Sequence, residues 1–137
     1  MRSLLVLALL MALASSGCGE ADTQQAPPTS ATLSVRQVLD TSGRLYIEGS
    51  LGYVRLVDAG GSTAFEKQLD PEKLAVSREI PAGEYVLQSW QRPCDGNCGY
   101  LDPPTDRCDA RLTLAPDSDM HVMITLRPAD GCEMTVS

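Results

Sequence analysis

From Leu33 onward the chain alternates apolar and polar residues in short runs, each ended by a cluster of Gly, Pro, Asp or Ser. A period of two constrains the fold most strongly, because successive side chains of a β-strand point to opposite faces. Leu33, Val35, Gln37 and Leu39 alternate with Ser34, Arg36 and Val38, and Asp40-Thr41-Ser42-Gly43 then turns the chain. Leu45 and Ile47 face one way, with Arg44, Tyr46 and Glu48 opposite, and Gly49 to Gly52 reads as the next turn. Tyr53 to Val57 reads as a strand, Asp58-Ala59-Gly60-Gly61 as a hairpin turn and Thr63 to Leu69 as its return. Asp70-Pro71-Glu72-Lys73 fits a single helical turn, with Asp70 as cap and Pro71 in first position. Leu74, Val76, Arg78 and Ile80 alternate again, and Pro81-Ala82-Gly83 turns into Glu84 to Arg92. After a cysteine-rich loop come Ala110, Leu112 and Leu114, a turn over 116–119, then Val122, Ile124 and Leu126. A last run, Cys132 to Val136, is placed to pair with an earlier strand. Nothing in this region sustains a helical period. The expectation is one all-β sandwich over 33–137, with seven or eight strands spaced by about 8–12 residues.

Such a core is thin. The chain has one Phe and one Trp, so Leu, Val, Ile and Tyr must fill the interior. Small cores of this kind gain most from covalent staples, and a disulfide closing a 15-residue loop contributes about 3 kcal/mol in the chain-entropy model. The formal charge is −7. An acidic surface is poorly suited to nucleic acid or anionic lipid, which need clustered Lys and Arg. One monomeric domain without nucleic acid as partner is expected.

The first residues read as an address. Arg2 and the free amine are positive, and Leu4 to Ala14 is apolar but too short to span a bilayer. The ending Ser15-Ser16-Gly17-Cys18 resembles the lipobox of bacterial lipoproteins. In that family the cysteine thiol receives a diacylglycerol and becomes the mature N-terminus. The family usually has Leu three residues before the cysteine, where this chain has Ser15. Ala12-Leu13-Ala14 is also a small-x-small site for ordinary secretion, and an uncleaved anchor is the third reading. Parity favours lipidation: five cysteines minus Cys18 leave four that can pair outside the cell. Removing 1–17 takes away Arg2 alone among charged residues and moves the charge from −7 to −8. Residues 18–32, polar and Pro-containing, read as a tether that holds the domain roughly 20 Å from the membrane. Membrane contact is thus expected through the N-terminal lipid, on the extracytoplasmic side.

The stretch Tyr53 to Gly60, with Ile80-Pro81-Ala82-Gly83-Glu84-Tyr85-Val86-Leu87 after it, resembles transthyretin-like (prealbumin-like) modules. These include carboxypeptidase regulatory-like domains and the B-type repeats of bacterial collagen adhesins. The resemblance implies a tight turn at Gly83 feeding a strand whose Tyr85 and Leu87 pack between two sheets. The adhesin repeats carry a Lys–Asn isopeptide crosslink. With only Lys67, Lys73 and a loop Asn97 here, disulfides are expected to do the stapling instead. The block PCDGNCGYLDPPTDRC is similar to one in small exported bacterial lipoproteins of unknown function.

Cys94, Cys98, Cys108 and Cys132 allow three pairings. If the strands flanking the loop are neighbours, Cys94–Cys108 closes its base and Cys98–Cys132 pins its tip. Both bridges read as inert and structural. A redox pair needs a low-pKa thiolate, usually with two residues between the cysteines at a helix start, and Cys94 and Cys98 have three between them. Zinc is disfavoured by the same spacing and by the distance of His121 along the chain. The loop is rich in oxygen donors, and Asp95, Asn97, Asp102, Asp106 and the nearby Asp109 are candidates for an irregular calcium site. The EF-hand template fails, since Gly99 and Tyr100 stand where a ligand and the obligatory Gly belong. Asp, Asn, Gly and Pro also simply make turns. No cofactor is implied.

His121, the only histidine, alternates with Val122 and Ile124 and so faces solvent, with no nucleophile elbow to serve. No catalytic residue is assigned. Trp90 and Arg92, just before the loop 93–109, and Asp95, Asn97, Tyr100 and Asp102 within it form a candidate contact surface, because aromatic and Arg residues beside a rigid loop suit docking. The alternative for Trp90 is packing in the core. The sequence therefore points to a non-enzymatic, lipid-anchored binding or structural module whose partner is a protein or cell-wall ligand. Two alternatives remain: a small domain binding calcium or carbohydrate, and an inhibitor-like domain docking through Leu101-Asp102-Pro103-Pro104.

Overall fold

The computed structural model describes residues 29–40, 49–94, 98–127 and 131–137. Within them the alternation resolves into eight strands: β1 Ser30–Leu39, β2 Ser50–Asp58, β3 Thr63–Gln68, β4 Ala75–Pro81, β5 Gly83–Pro93, β6 Thr105–Leu114, β7 Asp119–Arg127 and β8 Gly131–Val136. They form two four-stranded sheets, ordered β4-β1-β7-β8 and β3-β2-β5-β6. Every pairing is antiparallel except β1 with β7, which run parallel at the centre of their sheet. The all-β sandwich expected from the period of two is the fold observed.

Its core is the inward half of that alternation. Ala31, Leu33 and Val35 of β1, Ile80 of β4 and Val122, Ile124 and Leu126 of β7 face Val54, Leu56, Leu87, Leu112 and Leu114 of the other sheet. Leu87 is fully buried, and Tyr85 packs against the core from partway out. The outer strands β3 and β4 carry Glu66, Lys67, Arg78 and Glu79, charges that discourage edge-to-edge pairing.

Local chemistry sets the turns. After β2, Asp58 accepts the Gly61 amide at its carbonyl and the Ser62 amide at its carboxylate, which closes the hairpin. Asp70 takes the Glu72 amide on its side chain and the Leu74 amide on its carbonyl, so the residues after Pro71 make the single turn expected of them. At the β4–β5 turn the Tyr85 hydroxyl donates to the Pro81 carbonyl at 2.9 Å, a tyrosine bonding back to backbone just upstream. Burial, and then the nearby charge of Asp58, raise the Tyr85 pKa above its usual 10.0.

Four features differ from the sequence-based expectation. β1 begins at Ser30, inside the stretch read as tether, because Ala31 reaches the core. Gly52 is no turn residue and lies within β2, where a Cβ would meet the buried side chains of Gln37 and Gln91. β6 starts at Thr105, which pairs with Gln91, so the cysteine-rich loop is shorter than 93–109. The fourth concerns the disulfides. Cys94 pairs with Cys98, and Cys108 with Cys132, in place of the proposed Cys94–Cys108 and Cys98–Cys132. Although β5 and β6 are neighbours, Cys108 sits opposite Ser89, five residues before Cys94 and so about 17 Å away along the strand. Cys108 instead points inward from the edge of one sheet toward Cys132 at the edge of the other, Cα to Cα 5.6 Å. The strand expected around Leu45 and Ile47 lies outside the described residues, as do residues 1–28 with Cys18.

Candidate functional site

The end of β5 is where the chain fixes an irregular loop in place. The Arg92 guanidinium donates from Nε to the Asp102 carbonyl and from Nη2 to the Leu101 carbonyl, each at 3.0 Å. The Asp102 amide donates to the Pro93 carbonyl at 2.8 Å, and the Cys94 amide to that of Gly49 at 2.6 Å. Cys94–Cys98 holds the near side of the loop, Cα to Cα 4.8 Å. Gly49 is required at this junction. Its φ of +74° lies in the left-handed region, and a Cβ there would collide with the Cys94 carbonyl oxygen. One charged side chain, one disulfide and two backbone bonds thus brace the segment from which Tyr100 projects, 82% exposed.

Beside the loop lies the outer face of the β3-β2-β5-β6 sheet. Trp90 on β5 stands opposite Tyr53 on β2, and their rings stack at 5.6 Å with an interplanar angle of 5°. Arg55 lies over the Trp90 ring at 5.1 Å, and its Nε meets Glu66 Oε2 at 2.7 Å. The Tyr53 hydroxyl donates to Gln68 Oε1 at 3.2 Å. Next to this ladder an open groove of about 530 Å³ runs between Arg55, Trp90, Arg92, Arg107, Glu66 and Asp109. Its lining mixes both charge signs, the composition of a polar docking rim.

The structure sorts the residues singled out from sequence. It bonds Arg92 to Asp102 beside the segment that bears Tyr100, and sets Trp90 next to Arg92 along the groove; Asp95 and Asn97 lie outside the described residues. Trp90 belongs to the sheet face. Half-buried, with Tyr53 stacked on it and Arg55 over it, its ring is taken up by partners from its own chain. Among the described residues no three His, Cys, Asp or Glu side chains gather as a metal site would require. Asp106, one of the calcium candidates, accepts the Thr105 hydroxyl at 2.9 Å. His121 is exposed on β7, and its backbone pairs with that of Ser137. Tyr53, Arg55 and Arg107 join the site without having been foreseen. Their outward parity was readable, but the register that sets Tyr53 beside Trp90 was not.

No protein-family model matches the chain, and no curated protein sequence matches it. Among solved structures it is similar to the Bacillus anthracis TIE protein, at 12% identity and a TM-score of 0.41. That alignment covers 73% of this chain and 16% of the other. It is also similar to a "putative cell adhesion protein" from Bacteroides uniformis, at 13% identity and a TM-score of 0.44, over 80% of this chain and 49% of that one. The likeness is one of all-β fold. This chain spans less than half the length of either.

Proposed function

We propose that this protein is a non-enzymatic module on the extracytoplasmic side of a bacterial membrane, anchored through lipidated Cys18, which contacts its partner through the loop bearing Tyr100. The arginine clamp carries the reading. By holding the Leu101 and Asp102 carbonyls, Arg92 keeps an 82% exposed tyrosine on a segment that is already ordered. Pre-ordering removes much of the entropic cost of docking, and Tyr and Arg are the side chains that most often dominate protein contacts. The neighbouring groove with Arg107 and Asp109 adds a charged rim able to orient an encounter. Two disulfides suit an oxidising compartment. The Pro81–Gly83 turn, with Tyr85 folded back onto it, supports a transthyretin-like module. The partner is a protein or cell-wall component, and the domain acts as a monomer.

The test places a photo-reactive phenylalanine analogue at position 100, or at exposed Met123 on the opposite sheet, in an exporting bacterial host fed labelled palmitate. The expected result is a discrete adduct at position 100 that disappears with Arg92→Ala, and a lipid label lost with Cys18→Ser. Equal adducts at both positions would remove the loop as the docking surface. An unlabelled parent chain would remove the lipid anchor.

A further inference from the structure

A second feature, independent of the loop surface, lies between the sheets. Among the described residues three polar side chains sit in the interior: Gln37 (6% exposed), Gln91 (5%) and Ser89 (2%). Burying a carboxamide is unfavourable unless it is hydrogen-bonded, and the apolar alternation of Leu33, Val35, Leu56 and Leu87 already specifies how these strands face one another. Leucine at both glutamine positions would keep the apolar alternation without burying a carboxamide. Gly52 also leaves room for the pair: a Cβ there would come within 2.7 Å of Gln37 Oε1 and 3.2 Å of Gln91 Nε2.

The two glutamines line a hollow of about 290 Å³ at the end of the sandwich. That size is near the lower limit of small-molecule pockets, roughly 300 Å³. Leu39, Leu74 and Leu126 supply apolar walls, and Ser50 a hydroxyl. Gln91 Nε2 donates to Gln37 Oε1 at 2.9 Å, and Ser50 Oγ to Gln91 Oε1 at 3.2 Å. Each carboxamide offers two N–H donors and an oxygen with two lone pairs. These two bonds therefore use only part of what the pair can offer. At the rim, Arg127 and Asp106 are of opposite sign, and Arg127 is engaged by Glu133 and Asp40. An anionic guest would find Arg127 already engaged by two carboxylates, whereas a neutral one meets donors, acceptors and hydrocarbon.

We propose that this hollow binds a small neutral acetamido group. Its carbonyl accepts from the carboxamide N–H groups of the Gln37–Gln91 pair, its N–H donates to an oxygen of the same cluster, and its methyl rests on the leucine walls. An acetylated amino sugar and an acetylated amino acid share this chemistry.

The experiment is a ¹H–¹⁵N titration of the full exported protein in detergent. N-acetylglucosamine, N-acetylalanine amide and glucose are each added to about 20 mM, the range that detects millimolar affinity. Saturable shifts of the Gln37 and Gln91 side-chain amides with either acetamido compound, and none with glucose, are expected. A response to only one acetamido compound assigns the source. The Gln37→Leu/Gln91→Leu variant is expected to keep the dispersed spectrum of the folded domain and weaken binding at least tenfold, roughly 1.4 kcal/mol. Absence of saturation with both acetamido compounds, or undiminished binding in the double variant, overturns the proposal. Gln37→Asn/Gln91→Asn serves as the second variant if the leucine variant does not fold: it keeps the amides but draws them back, and undiminished binding there counts equally against the site. Neither outcome bears on Tyr100, so this site and the loop surface stand or fall separately.

Discussion

Cys108, on the edge strand of one sheet, is bonded to Cys132 on the edge strand of the other, and so closes one side of the sandwich covalently. Cys94–Cys98, by contrast, spans four residues and braces only the loop. In the chain-entropy model a separation of 24 corresponds to about 3.5 kcal/mol and one of 4 to about 2 kcal/mol. Replacing Cys108 and Cys132 with Ser should therefore lower the urea midpoint more than replacing Cys94 and Cys98. Fluorescence of the single Trp reads both transitions. Equal or reversed losses would count against the cross-sheet staple as the main one.

Two glycines distinguish backbone from side-chain crowding. Gly49→Ala forces a left-handed residue against the Cys94 carbonyl, part of the bonded junction that holds the loop. Gly52→Ala presses on the ends of two side chains, which can rotate at a cost of about 1–3 kcal/mol. The Gly49 variant should be the less stable of the two, and thermal melts of both decide it.

Tyr85 links the Pro81 turn to alkaline stability. Its pKa is raised in the folded state, so the folded chain holds the phenolic proton more tightly than the unfolded chain does. The resulting stabilisation is present below pH 10 and is lost as pH rises from there through the folded-state value. Tyr85→Phe should lose about 1 kcal/mol at neutral pH, from the missing bond to Pro81. It should also flatten the decline above pH 10. Urea midpoints at pH 8 and above 10 test both parts, and an unchanged alkaline slope would exonerate Tyr85.

The Tyr53–Trp90 stack should register as coupling. In a double-mutant cycle with Tyr53→Leu and Trp90→Leu, the double variant is expected to lose about 0.5–1.5 kcal/mol less than the sum of the single losses. Since Trp90 is replaced, circular dichroism supplies the readout. Additive losses would mean that the two rings merely share a surface.

How much of this was legible in advance follows from the range of each cause. The period of two was enough to assign Leu33, Val35, Val122 and Ile124 to a core face, because strand geometry alone alternates the side chains. The Asp58 and Asp70 turns were legible for the same reason, since each closes through bonds among neighbours in the chain. Tyr100 and Arg92 were named from composition, but the clamp joining Arg92 to the Leu101 and Asp102 carbonyls depends on how β5 runs into the loop. Gly52 misled, because a glycine that makes room for distant side chains resembles one that turns the chain.

What the sequence determined by itself, then, was an all-β sandwich with hydrophobic faces and cysteines enough to staple it. The tertiary structure alone decided which cysteines meet, that Tyr53 stacks on Trp90, and that Gln37 and Gln91 share a hollow between the sheets. Each of those relationships depends on register and on the facing of two sheets, which residues far apart in the chain fix together and no local pattern encodes.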